Sequence, residues 1–284
     1  MIDQIIEDVQ RRPIILLSDR GHGKSTSLMT IVQELKKQHP KIIVKVFDIS
    51  QAWYHRAPLK HRQRITPDQL VTVNFHNLDD CVYEIGSLPS DFRRVFVSLI
   101  VNQDYQVRYE MGLRYGIDSV KKLPLIVYIF EEANTYFGSY SLRKNDEWTM
   151  VLNDFVSVGR NYGLCAFMVV TAEMGELSPS LRRRSTRIVG QVSNDYDMRS
   201  LNRKSKGLGN TALKMPRFHW IYFNGEKSEP FRIRDEVEGV PGDYKLSPKS
   251  SPLVVPEPEP FKLTMGMVAV VCLIVGALLA MWFL

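Results

Sequence analysis

The sequence predicts an α/β domain: a mostly parallel sheet with helices on both faces. Two observations carry that expectation. Runs of Ile, Val and Leu without polar alternation recur along residues 1–240, and stretches of helical period separate them. Strands that read as unbroken apolar runs are buried on both faces, which requires a helical layer above and below the sheet. A third observation sets the C-terminus apart, because residues 264–284 form a run of 21 without one charge.

In chain order, strands are expected at 14–17, 42–48, 70–75, 125–130, 164–171, 187–192 and 219–223. Helices are expected at 25–38, 91–115, 146–162 and 195–204. The chain has 284 residues, 44% of them apolar, enough for a sizeable core. That excludes a disordered chain and a disulfide-stapled miniprotein. Three cysteines (Cys81, Cys165 and Cys272) are odd in number and widely spaced. They show neither zinc spacing nor a disulfide framework, so the main body is expected on the reducing, cytosolic side. The N-terminus MIDQIIEDVQRR carries acids and no long apolar run. It does not read as a signal peptide.

Three regions follow: a domain at 1–240, a linker at 241–263 and a transmembrane helix at 264–284. The linker begins a tail with six prolines, which favour an extended conformation over helix or sheet. At about 1.5 Å per residue, the final run spans roughly 30 Å as a helix, the thickness of a bilayer's hydrocarbon core. Lys245, Lys249 and Lys262 precede it. The positive-inside rule therefore puts the N-terminal domain in the cytoplasm, with the chain anchored by its tail in a host or virion membrane.

Strand 14–17 runs into Ser18-Asp-Arg-Gly21-His22-Gly23-Lys24-Ser25-Thr26. This approximates the phosphate-loop pattern G-x-x-x-x-G-K-[ST], with Ser18 in place of the first glycine. The chemistry needs backbone N–H groups aimed at phosphate oxygens at the positive end of a following helix. Ser18, Gly21, His22, Gly23, Lys24, Ser25 and Thr26 are the expected nucleotide-binding residues, Lys24 on the β/γ-phosphates and Ser25 on Mg²⁺. Residues 125–130 then end in Glu131-Glu132-Ala133-Asn134. Glu131 stands where an acid holds Mg²⁺, and Glu132 where a carboxylate polarises the attacking water. The fold expected from these motifs is a RecA-like P-loop NTPase with ATP and Mg²⁺ as cofactors. Asp48 ends a strand expected beside the phosphate-loop strand, and reads as a solvated turn near the nucleotide.

The order of these segments, followed by VGRNYGLCAFMVVTAE and SLRRRSTRIVGQVSNDYD, resembles the HerA/FtsK superfamily of ring-forming DNA-translocating ATPases. Within it, the sequence is similar to genome-packaging ATPases of tailless icosahedral viruses that contain a membrane. The resemblance implies that Arg160 is an arginine finger serving a neighbouring subunit, and that Thr171 occupies a sensor position. Ala172 stands where that family usually has Gln. It also implies a homo-oligomeric ring, a hexamer, acting on double-stranded DNA without regard to sequence, with capsid or vertex proteins as further partners.

The formal charge is +6, with cations gathered in a loop at 54–64, at Arg182, Arg183, Arg184 and Arg187, and at Arg199, Arg203, Lys204 and Lys206. Cations of this kind suit contact with a phosphate backbone. The leading expectation is a membrane-anchored DNA translocase that packages a viral genome. The alternatives are a Zot-like virion-assembly ATPase acting on protein and a nucleotide-binding membrane scaffold without turnover.

Overall fold

The computed structural model describes residues 1–57, 59–67, 79–138, 147–171 and 176–233. The elements in order are α1 (Ile2–Val9), β1 (Ile14–Ser18), α2 (Lys24–Gln38), β2 (Ile43–Asp48), α3 (Ala52–Arg56), β3 (His61–Arg64) and β4 (Cys81–Glu84). Then come α4 (Ser90–Tyr115), α5 (Ile117–Val120), β5 (Ile126–Phe130), α6 (Asn134–Phe137), α7 (Glu147–Val158), a 3₁₀ turn at Gly159–Tyr162 and β6 (Leu164–Thr171). The last are α8 (Pro179–Arg184), β7 (Thr186–Val189), α9 (Asp195–Lys204), α10 (Leu208–Leu213), β8 (His219–Phe223) and β9 (Phe231–Arg232).

The strands form one sheet in the order β3-β4-β2-β5-β6-β1-β7-β8-β9. All pairings from β3 to β7 are parallel, and β8 and β9 add on antiparallel. The expected mostly parallel sheet is what the chain forms. Alternation along β1 shows why residues 14–17 are all apolar. Ile15 and Leu17 pack in one layer with Phe96 and Val97 of α4 and Leu152 and Phe155 of α7. Ile14 and Leu16 pack in the other, with Ile5 and Val9 of α1 and Leu28, Ile31 and Val32 of α2. A strand with helices on both sides has no solvent face for a polar residue.

Helix α9 shows the local logic at its clearest. Asn194 caps it by accepting from the Asp197 N–H at 2.8 Å, acids fill its first turn, and Arg203 and Lys204 its last. Each choice matches the helix dipole.

The structure departs from the sequence reading in three places. The basic segment 54–64 contains the edge strand β3 rather than a loop throughout, and its Arg64 bonds Glu84 at 2.7 Å. Arg187 is an interior residue, 3% exposed, donating to the Arg182 carbonyl and lying over the Phe223 ring. Strand β2 neighbours β5 and β4, not β1. The expected strand at 70–75, the linker 241–263 and the transmembrane helix 264–284 lie outside the described residues. Among the described residues, no helix is long and apolar enough to cross a membrane.

Candidate functional site

β6 separates β1 from β5, so the phosphate-loop strand and the acidic strand end at the same edge of the sheet with one strand between them. In parallel α/β sheets that C-terminal edge is where ligands bind, because loops and helix N-termini converge there.

The loop leaves β1 at Ser18, and α2 begins at Lys24. Gly23 has φ +95°, and a Cβ there would lie 2.2 Å from Cε1 of Phe218. Both the backbone and the neighbouring ring therefore demand glycine. Gly21 also has positive φ, in the turn between Arg20 and His22. Lys24 Nζ donates to the carbonyls of Ser18 and Asp19, both at 2.9 Å, which holds the amine over the loop. Burial lowers its pKa, with Glu132, Asp19 and Glu131 acting in opposition.

His22 contributes differently from its neighbours. Its ring packs edge-on to Trp220, with Nε2 3.0 Å from the His219 carbonyl and 3.3 Å from the Gln191 amide nitrogen. Burial lowers its pKa, which disfavours the charged ring. Thr26 is buried, and its carbonyl accepts from Thr30.

Opposite the loop, Glu131 is 4% exposed. Ser25 Oγ donates to its Oε1 at 2.7 Å and Ser50 Oγ to its Oε2 at 2.6 Å. Burial, then the charge of Asp48, pushes the Glu131 carboxyl up to about 7. Asp48 is fully buried rather than a solvated turn. It caps α3 by accepting from the Trp53 and Tyr54 amides at 3.0 and 2.7 Å. Asp48 and Ser50 are site residues that the motif reading missed. The signal available was a strand ending in Asp at the same sheet edge.

Glu132 has φ +49°, a conformation costing a non-glycine residue on the order of 1–3 kcal/mol. Thr171, at the end of β6, donates to its Oε1 at 3.0 Å. Strain at a carboxylate held by a second side chain is the usual mark of a functional position. Ala172 lies outside the described residues.

The oxygens of Ser25 and Glu131 are hard donors of the kind Mg²⁺ prefers, so these residues fit that ion. Among the described residues no cluster of three His, Cys, Asp or Glu side chains forms a metal cage. Phosphate and water would have to supply the remaining ligands, which is normal for Mg²⁺.

Arg160 sits elsewhere. It is exposed in the 3₁₀ turn before β6 and lines a small cavity with Arg12 and Pro13, which precedes β1. Because β6 runs parallel to β1, seven residue steps of about 3.3 Å, roughly 23 Å, separate Leu164 from Thr171. Arg160 therefore cannot reach its own chain's phosphate loop.

No protein-family model matches the sequence, and no curated protein matches it. Solved structures do. The genome packaging NTPase B204 of Sulfolobus turreted icosahedral virus 2, in complex with ATP-gammaS, aligns with 78% of this chain and 98% of its own, at TM-score 0.52 and 14% identity. The conjugation coupling protein TcpA of pCW3 aligns over 80% of this chain and 62% of its own, at TM-score 0.50 and 14% identity. The cytoplasmic domain of the Thermomonospora curvata type VII secretion ATPase EccC aligns over 78% and 25%, at TM-score 0.51 and 14% identity. The chain thus shares the fold of these NTPases and ATPases, and aligns with a genome packaging NTPase over nearly that protein's whole length.

Proposed function

We propose that this protein is an ATP-hydrolysing motor that moves double-stranded DNA and packages a viral genome, anchored to a membrane by residues 264–284. One observation carries the reading. Lys24, Ser25, Glu131, Glu132 and Thr171 meet at one edge of the sheet, while Arg160 stands at the opposite edge of the same strand layer.

The chemistry follows from these positions. Loop N–H groups and Lys24 hold the β- and γ-phosphates. Ser25 and Glu131 would hold Mg²⁺, which when bound would neutralise phosphate charge. Glu132, oriented by Thr171, takes a proton from the attacking water. Arg160 of one subunit reaches the γ-phosphate bound by the next, so turnover requires a ring of copies, a hexamer in this reading. The fold shared with a genome packaging NTPase and a conjugation coupling protein supports DNA as the cargo. So do the exposed Arg183 and Arg184 of α8 and the overall charge of +6. The uncharged 264–284 run supports a single-pass anchor with the ATPase domain cytoplasmic, on a host or virion membrane. Capsid or vertex proteins complete the proposed partners.

The test is ATP hydrolysis by the full-length protein in detergent, with and without linear double-stranded DNA, beside Lys24→Ala, Glu132→Gln and Arg160→Ala. DNA-stimulated turnover lost in all three variants is the expected result. Turnover indifferent to DNA would point to a protein cargo instead. Tight ATP binding without turnover at any concentration would leave a scaffold.

A further inference from the structure

Helix α4 carries three charged residues into the interior, Arg94, Asp104 and Arg108, and the site described above uses none of them. Asp104, 3% exposed, receives Lys45 Nζ of β2 on both oxygens at 2.8 and 2.7 Å, and Tyr128 of β5 on one at 2.6 Å. This fixes the middle of α4 on the sheet. One turn on, Arg108 is 4% exposed and donates to two backbone carbonyls, Tyr162 at 2.8 Å and Pro124. Tyr162 ends the 3₁₀ turn that carries Arg160. The next residue, Gly163, has φ +69°, and a Cβ there would lie 2.8 Å from Arg108 Nη1. The second glycine of Gly159-Arg-Asn-Tyr-Gly163 therefore serves two purposes, ending the turn and admitting the guanidinium beneath it. Tyr105 and Tyr109 of α4 close on the Tyr162 ring, at 4.9 and 6.1 Å between centroids.

We infer that Arg108 is a positioning residue for Arg160: its fork ties the turn to the entry of β5 and so sets where the finger leaves the surface. A planar fork reaching two carbonyls constrains a turn in a way that a lysine's single point of attachment does not. The inference rests on Arg160 acting in a neighbouring site, as proposed above.

The experiment is a double-mutant cycle on full-length protein, reading kcat and KM for ATP with saturating linear DNA. Arg160→Ala is expected to lower kcat about 10³-fold. Arg108→Met, which leaves the finger present but loose, is expected to lower kcat about 10²-fold with KM unchanged. Arg108→Lys should recover part of that loss. The double variant is expected to be no slower than Arg160→Ala alone, because Arg108 has nothing further to position. Should Arg108→Met fail to fold, Arg108→Lys carries the test alone, since it keeps the charge and loses only the two-pronged attachment. Wild-type kcat in the Arg108 variants overturns the inference, as does a double variant slower than Arg160→Ala or a lost affinity for ATP. Full activity in Arg160→Ala would instead sink the finger itself, which keeps the two failures apart.

Discussion

The two edges of the sheet are built on different principles. At the C-terminal edge, the functional side chains satisfy one another: Ser25 and Ser50 on Glu131, Thr171 on Glu132. At the N-terminal edge, Arg160 is exposed and its support comes from backbone carbonyls gripped by Arg108. The first arrangement suits groups that must share a small volume around a phosphate. The second suits a group whose target lies on another molecule, where the turn must be rigid and the tip free. In the proposed reading, one edge is a site lacking a finger and the other a finger lacking a site.

That contrast predicts its own strongest test. Lys24→Ala destroys the near edge and Arg160→Ala the far edge, so each alone should lose at least about 10³-fold in turnover. Mixed together, the two inactive proteins should regain measurable hydrolysis, because some interfaces then join an intact loop to an intact finger. Absence of any recovery, with ring formation shown by sedimentation, would mean that the edges do not serve different copies.

A second perturbation asks how tightly the near edge is built. Gly23→Ala puts a methyl group within 2.2 Å of the Phe218 ring at a residue with φ +95°. The loop must open or Phe218 must move, and ATP affinity should fall at least tenfold, about 1.4 kcal/mol. Adding Phe218→Ala should recover part of the affinity if the ring is the obstacle. No recovery would assign the whole loss to backbone strain.

Much of the near edge was legible in the sequence, and little of the far edge. β1, β2, β5, β6 and β8 announce themselves as apolar runs, and α2, α4, α7 and α9 as periodic stretches. The loop and the Glu131-Glu132 pair are contiguous motifs whose spacing reflects their chemistry. β3 escaped because His-Arg-Gln-Arg is a charged edge strand with one solvated side, and β4 because four residues carry too little pattern. Asp48 reads as a turn until the fold brings β2 beside β5 and buries it. Arg108 is 54 residues from the carbonyl it grips, and nothing local distinguishes it from an arginine on the exposed face of a helix. Contacts made by topology are invisible to spacing.

A third prediction uses the buried acid. Burial and Asp48 raise Glu131 from the usual 4.5 to about 7. Across that window the folded protein holds a proton that the unfolded chain has released, so this group's contribution to nucleotide-free stability is fully present below about 4.5 and is lost as pH rises through about 7. Glu131→Gln carries no titratable group and should flatten that part of the profile, read by thermal unfolding at several pH values. An unchanged slope in the variant would assign the dependence to another group.

The smallest expected effect separates orientation from chemistry within the near edge. Thr171 is bonded to Glu132 and also ends β6, so its role could lie in the carboxylate's direction or in the strand itself. Thr171→Val keeps the β-branched shape that suits a strand and removes only the hydroxyl. Loss of one hydrogen bond to a charged group is worth about 1.5–3 kcal/mol when the group is held for reaction. A hydroxyl that aims Glu132 at water should therefore cost about 10- to 150-fold in kcat, with ATP affinity unchanged. Glu132 would still be present as base, so the residual rate should exceed that of Glu132→Gln by a wide margin. Equal rates in the two variants would mean that the hydroxyl does more than aim the carboxylate. A valine variant with full activity would mean that the positive φ at Glu132 alone directs it.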